Sequence, residues 1–291
     1  MIPLTKNNYI RHKHSGINFQ VEIDKLAVGG NYYQESVLAA EEIYNLKEGK
    51  LHIMYSGGLD SEYVLSLFLE LGMDITPVIV KLNPFYNNHD IQYALNFCQL
   101  KNLTPMIIDI DFDEFVKSEK ILDIARETRS SVYHRPATAY AAGQINGTVL
   151  LGDGEPYIRL DENTNTWNLE IDEHDYVVYN YLSNRGIPCC PHFNRYRPEM
   201  MSAYMLDPRM RELADHVHAG KLGSNSSKTY MYNRYSPFKL EARKKYTGYE
   251  IIENSEIFKH PVFAQLENEG QAYEGLVSFN YHSFIRDYIN V

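Results

Sequence analysis

Leu51-His52-Ile53-Met54-Tyr55-Ser56-Gly57-Gly58-Leu59-Asp60-Ser61 is the stretch on which the reading of this chain turns. Leu51 to Tyr55 is a short apolar run suited to a strand buried on both faces. Serine and two glycines follow. From Ser61 to Leu71 the apolar residues Val64, Leu65, Phe68 and Leu71 then recur at helical spacing. The stretch reads strand, glycine-rich turn, helix. Two glycines let the backbone approach a bulky anion and adopt positive φ where needed. The helix aims its first N–H groups and the positive end of its dipole at the same place. Ser56 and Ser61 add hydroxyl donors, and Asp60 adds a carboxylate suited to Mg2+ on a polyphosphate. The Walker lysine is missing, so this is not the GxxxxGKS/T loop. It reads as a pyrophosphate cradle rather than a plain strand-to-helix connection.

Working outward, Gln34 to Lys47 fits an amphipathic helix stopped at Gly49. Ile75 to Leu82 is a second strand, interrupted early by Pro77. A helix from Asn88 to Lys101 buries Ile91, Ala94, Leu95 and Cys98, and Pro105 to Ile110 is a third strand. One or two helices fill Glu114 to Arg129, and another spans Pro136 to Ile145. Thr148 to Leu151 is a fourth strand, ending at Gly152-Asp153-Gly154-Glu155. Strands alternating with helices of about 10–15 residues predict an α/β fold, a parallel sheet with helices on both faces. Ligands of such sheets bind at the carboxyl ends of the strands, where both glycine-rich turns lie. Ile17 to Ile23 alternates weakly, as an edge strand does.

The second half changes character. Asp161 to Asp175 is polar and acidic, and Tyr176–Leu182, Glu199–His216 and Gln271–Tyr288 read as helical. Loops are expected at Gly186–Pro191 and Gly220–Ser227. The expected organisation is an N-terminal extension over 1–33, a nucleotide-binding core over 34–160 and a mostly helical substrate-side region over 161–291.

The 291 residues carry 28 Lys and Arg against 38 Asp and Glu, a formal charge of −10. That balance argues against a general phosphate-backbone binder and so against a nucleic-acid partner. Cys98, Cys189 and Cys190 imply no disulfide framework, which points to a reducing, cytoplasmic compartment. Residues 1–20 lack the apolar segment of a signal peptide, and no apolar run approaches ~18 residues, so no membrane span is expected. In Cys189-Cys190-Pro191-His192 the cysteines are adjacent rather than spaced C-x-x-C, which favours packing thiols in a buried turn over a zinc site.

Tyr55 to Ser61 resembles the S-G-G-x-D-S signature of the PP-loop ATP pyrophosphatases, which adenylate a substrate oxygen and release pyrophosphate. Val149 to Glu155 is similar to the V-L-L-S-G-E-G-x-D-E segment of asparagine synthetase, within that superfamily. Pro198 to Ala214, with Tyr204-Met205-Leu206-Asp207, resembles that family's E-x-R-x-P-F-L-D helix start. Lys228, six residues before Arg234, is loosely similar to its K-x-x-L-R, and Arg243 to Tyr249 to its R-x-K-x-G-F. The resemblance covers roughly residues 35–250, densest at 51–61, and implies an adenine nucleotide alpha-hydrolase-like fold.

It also implies roles. Ser56, Gly57, Gly58, Leu59 and Ser61 would bind the β and γ phosphates of ATP, with Gly152 facing them. Asp60 would coordinate Mg2+, with Asp153 or Glu155 as a second carboxylate. Backbone at Val80 to Leu82 would contact adenine. Lys228 is the first choice for stabilising the transition state, with Lys244, Lys245 and Arg243 in reserve. Glu155 would position or deprotonate ammonia or an amine.

The sequence departs from the family in places. Pro156 follows Glu155, the Asp-Glu pair is incomplete, and the P-F of P-F-L-D is gone. This sequence starts Met1-Ile2 without the N-terminal cysteine nucleophile and has no room for the glutaminase domain, so ammonia from glutamine by that route is not expected, and a separate ammonia donor is one candidate partner. The expected activity is an ATP-dependent ligase or amidotransferase that adenylates a small carboxylate and transfers ammonia or an amine to it. A nucleobase- or tRNA-modifying enzyme and a non-catalytic nucleotide-binding protein are the alternatives.

Overall fold

The computed structural model of the chain describes residues 10–15, 18–130, 132–154, 156–172, 176–215, 224–241, 248–270 and 275–289. β1 (Ile10–Ser15) and β2 (Asn18–Ile23) form an antiparallel hairpin. α1 (Tyr32–Leu46) opens with a capping box: Gln34 N–H donates to the Asn31 side chain, and Asn31 N–H donates to the Gln34 side chain. The alternating segment then runs β3 (Leu51–Met54), α2 (Leu59–Glu70), β4 (Thr76–Asn83), α3 (Asn88–Leu100), β5 (Met106–Asp111), α4 (Phe112–Lys117), α5 (Lys120–Thr128), α6 (His134–Ala142) and β6 (Thr148–Leu151). β7 (Tyr157–Asp161), β8 (Thr166–Asp172), α7 (Val177–Asn184) and β9 (Cys189–Cys190) follow.

Five of these strands make one parallel sheet in the order β5-β4-β3-β6-β9. Alternate residues along its central strands feed separate cores on the two faces. Leu51, Ile53, Leu150 and Cys190 pack with α1, α2 and α3. Met54, Val149, Leu151 and Cys189 pack with α4, α5, α6 and α7 on the other face. The fold is therefore α/β, with helices on both faces. Pro77 is tolerated because it pairs only with Ile53, and β5 joins β4 from Val78 onward. No ladder bond to β5 is lost at a residue without an N–H.

The strand order decides where a ligand can sit. β4 and β5 lie to one side of β3, whereas β6 and β9 lie to the other. Connections from the carboxyl ends of β3 and β6 thus leave in opposite directions, and a crevice opens between them.

The second half departs from its expected form in several places. The boundary at residue 160 falls inside β7, which pairs with β8, and β9 completes the parallel sheet, so residues beyond 160 belong to the core itself. The Gly186–Pro191 loop therefore contains a strand, because Cys189 and Cys190 pair with Val149 and Leu150 and are buried on opposite faces. The expected helix at 199–216 is two helices, α8 (Pro198–Met205) and α9 (Pro208–Asp215), with Pro208 opening the second. Of the loop expected at 220–227, residues 220–223 lie outside the described residues and the rest is the start of α10 (Ser224–Tyr235).

After α11 (Glu250–Glu253) and α12 (Pro261–Gly270), the helix expected over 271–288 is a strand, β10, at Leu276–Asn280 and a helix, α13, at Tyr281–Tyr288, while 271–274 lie outside the described residues. β10 is held by antiparallel pairing to β8, which makes a three-stranded sheet β10-β8-β7. Leu169, Ile171, Tyr281 and Phe284 form a small core there with Leu26, Met201 and Met205. Helix remains the commonest element of this half. Among the described residues no helix is long and apolar enough to cross a membrane.

One contact between α5 and α7 gives the fold a pH dependence. Arg185 Nη1 and Nη2 donate to the two Glu127 carboxylate oxygens at 2.5 and 2.9 Å, and the guanidinium stacks 3.5 Å from the Tyr181 ring centroid. The Arg185 hydrogen bonds hold Glu127 below its ordinary value of 4.5. A carboxyl lowered on folding contributes stability above that range and loses it as pH falls through the folded value. Arg185→Met is therefore expected to lower the thermal midpoint most near neutral pH. The gap to the unmutated protein should narrow below about pH 4.5, leaving the lost stacking and the lost Arg185 Nη1 bond to Tyr181 O. A gap independent of pH would show that the pair contributes no charge-dependent stability.

Candidate functional site

β3 delivers the chain to the crevice. Tyr55 N–H still donates to Val78 O at 2.8 Å, and the backbone then turns through Ser56, Gly57 and Gly58. Gly57 has φ +77°, and a Cβ there would lie 2.7 Å from the Ala94 backbone nitrogen. Both the torsion and the packing on α3 require glycine. Gly58 is the N-cap of α2 and offers no side-chain acceptor, and the Glu62 N–H is the first to reach back, to Gly58 O at 3.0 Å. The N–H groups of Leu59, Asp60 and Ser61 consequently have no acceptor within the helix. Beside them, Ser56 Oγ accepts from Gly58 N–H at 3.3 Å and lies 3.4 Å from Ser61 Oγ.

Ser56, Gly58, Asp60 and Ser61 line a cavity of about 340 Å³ at the carboxyl ends of β3, β4 and β6, whereas Gly57, Leu59 and Lys228 are not among its lining residues. Ser56, Gly58, Asp60, Ser61, Val80, Leu82, Gly152 and Asp153, eight residues singled out from the sequence, line it together. The Val80 carbonyl and the Leu82 N–H are bonded to the Asn87 side chain at 2.9 and 2.8 Å, and both residues line the cavity. Lys228 comes from 168 residues away to place Nζ 3.0 Å from Asp60 Oδ2. Glu155, Arg243, Lys244 and Lys245 lie outside the described residues.

Other participants were not singled out from the sequence. Arg135 Nη1 is 3.0 Å from Asp153 Oδ2, and the Tyr232 hydroxyl donates to Asp60 Oδ1 at 2.5 Å. Tyr249 walls the cavity, its hydroxyl donating to His134 O at 3.1 Å, and burial raises its phenol well above the ordinary value. Its segment is pinned to α3 by Glu250, which lies 3.0 Å from His89 Nε2 and accepts the Gly248 N–H at 3.1 Å. A signal for some of these was present. A right-handed crossover places the first turn of each connecting helix at the carboxyl edge of the sheet. That rule finds His89 and Asp90 on α3 and His134 and Arg135 on α6.

The two turns touch. A Cβ on Gly152 would lie 2.6 Å from Ser61 Cα and 2.9 Å from Ser61 N. Asn194, fully buried, holds the second turn by donating from Nδ2 to Gly152 O at 2.7 Å while accepting the Tyr32 hydroxyl at 2.6 Å. Asn194→Ala should destabilise the fold by about 2–3 kcal/mol, because it removes the donor to a buried carbonyl and an acceptor of a buried hydroxyl. Denaturant unfolding measures this, and an unchanged midpoint would show that the pair is idle.

The charges around the cavity are mixed, with Asp60, Asp90 and Asp153 against Lys228 and Arg135. Among the described residues no three His, Cys, Asp or Glu side chains are grouped to hold a metal. The donor set fits a cation that arrives with phosphate oxygens and needs one or two carboxylates, the usual manner of Mg2+. Burial pushes the Cys98 thiol up to about 11 and the Cys189 thiol up to about 12, and raises the Cys190 thiol well above its ordinary value, so all three favour the unreactive thiol. Comparison with known proteins finds no family model that matches the chain and no curated protein that matches it.

Proposed function

We propose that the cavity binds the triphosphate of ATP and that the protein transfers AMP to a small carboxylate, releasing pyrophosphate, before ammonia or an amine displaces AMP to form an amide. The observation that carries this reading is the start of α2, where Gly58, Asp60 and Ser61, together with Ser56, line a cavity at the point where the strand order reverses. The PP-loop resemblance of residues 55–61 supports the same chemistry.

In this reading the N–H groups of Asp60 and Ser61 bind the outer phosphates, and Ser56 and Ser61 add hydroxyls. Lys228 and Arg135 supply positive charge where negative charge grows on the α-phosphate and the leaving diphosphate. Arg135 suits a phosphate especially, because its planar fork can meet two oxygens at once. Mg2+ bound with the nucleotide would neutralise further charge, and Asp60 and Asp153 are the residues that would hold it. The apolar side chains of Val80, Leu82 and Ile91 exclude water from the inner part of the cavity. Glu155 is the candidate to accept the proton of the nitrogen nucleophile, which would come from solution or from a separate donor protein.

Pyrophosphate release and ATP–pyrophosphate exchange, measured across carboxylic acids with and without amines and across tRNA, test the reading. Exchange that depends on a carboxylate, with amide formed on adding an amine, is the expected result. Dependence on RNA alone would replace it with a nucleobase-modifying reaction. Calorimetric ATP binding with no exchange under any condition would leave a nucleotide-binding protein without chemistry.

A further inference from the structure

α10 meets Asp60 with two side chains one helical turn apart, and the two differ in kind. Lys228 is a point charge on a flexible four-carbon stem, which supplies attraction but little direction. Tyr232 is fully buried and cannot swing: its ring stacks on Tyr63 with centroids 4.4 Å apart and planes inclined by 16°, and lies 6.0 Å from the Tyr32 ring. Tyr32 is itself tied through Asn194 to Gly152 of the opposite turn. The Tyr232 hydroxyl is therefore a donor fixed relative to both turns, and it takes Asp60 Oδ1 while Lys228 takes Oδ2. The Asp60 side chain keeps about a quarter of its surface exposed, toward the cavity it lines.

We infer that Tyr232 is a positioning residue: its immobilised hydroxyl sets the orientation of the Asp60 carboxylate, and so the affinity of the site for the divalent cation that accompanies the nucleotide. The inference rests on the proposed binding of a metal–triphosphate at this cavity. It assigns Tyr232 no contact with substrate. A carboxylate held by two donors from one helix keeps its remaining lone pairs aimed in a single direction, so a cation meets a ligand already oriented. With Lys228 alone the carboxylate can rotate about its χ2 torsion, which is broad for an aspartate.

The test is calorimetric titration with α,β-methylene ATP, once in EDTA and once with saturating Mg2+, so no turnover is needed. The unmutated protein should bind in both conditions and more tightly with Mg2+. Tyr232→Phe keeps the ring and loses the hydroxyl. It should leave the affinity in EDTA within about twofold and cut the Mg2+ enhancement by about tenfold, the scale of a lost hydrogen bond to a charged group. On an Asp60→Asn background the same change should have no further effect on the enhancement.

Should Tyr232→Phe fail to fold, Asp60→Glu carries the test. It keeps the charge but moves it off the Tyr232 hydroxyl, and should lose the enhancement likewise. An undiminished enhancement in Tyr232→Phe or Asp60→Glu would overturn the inference while leaving nucleotide binding intact. An additive loss in the double variant would overturn it too, by showing that Tyr232 acts on packing rather than through Asp60. If the unmutated protein bound no nucleotide in either condition, the proposed function would fall first and this inference with it.

Discussion

Asp60→Asn is expected to reduce pyrophosphate release by about a hundredfold or more, since it removes a full charge from the place where a transition state would need it organised. The substitution is nearly isosteric, so its effect is electrical. An amide in place of the carboxylate cannot serve two cations, and one of its ends presents N–H donors to Lys228 or Tyr232, which are donors themselves. The fold should survive, with a loss of no more than about 2 kcal/mol from the weakened hydrogen bonds. Steady-state pyrophosphate release read beside thermal unfolding separates the two effects. A folded variant releasing pyrophosphate at the normal rate would remove Asp60 from the chemistry.

Gly152→Ala should act by steric means and strike binding and stability together. The added methyl would sit 2.6 Å from Ser61 Cα and 2.9 Å from Ser61 N. Both are backbone atoms of the first turn of α2, so no rotamer change relieves the clash. Either β6 or the start of α2 must retreat, which for overpacking at a rigid contact costs about 2–3 kcal/mol. The retreat also opens the cradle, so nucleotide affinity is expected to fall by about tenfold or more. Differential scanning calorimetry with and without ATP measures both. A variant with unchanged melting and unchanged ATP stabilisation would mean that the two turns are not in mutual contact.

The sequence disclosed what is local. β3, its turn and α2 were legible because an apolar run, two glycines and a helical period occupy consecutive residues, and each constrains its neighbours. β6 and the Gly152-Asp153 turn were legible for the same reason. What escaped depends on distance along the chain. Tyr232 meets Asp60 across 172 residues and Asn194 meets Tyr32 across 162, and no local period encodes such a meeting. β10 was read as helix because Leu276, Val277 and Phe279 make an apolar run too short to distinguish the two periods, and pairing with β8 decides it. Cys189 and Cys190 read as a turn because a two-residue strand leaves no pattern at all. Arg135 and Asp90 are within reach of a rule that joins topology to position, because the first turns of the crossover helices fall at the carboxyl edge of the sheet.

The late arrival of β9 bears on how the chain reaches this form during synthesis. Four strands of the parallel sheet are complete by Leu151, yet the free flank of β6 has no neighbour until Cys189 and Cys190 emerge, after the whole of β7, β8 and α7. In that interval Val149 and Leu150 present an apolar, unpaired backbone edge to other nascent chains, the kind of edge that templates aggregation. Overproduction of fragments ending between residues 152 and 188 should therefore yield insoluble protein.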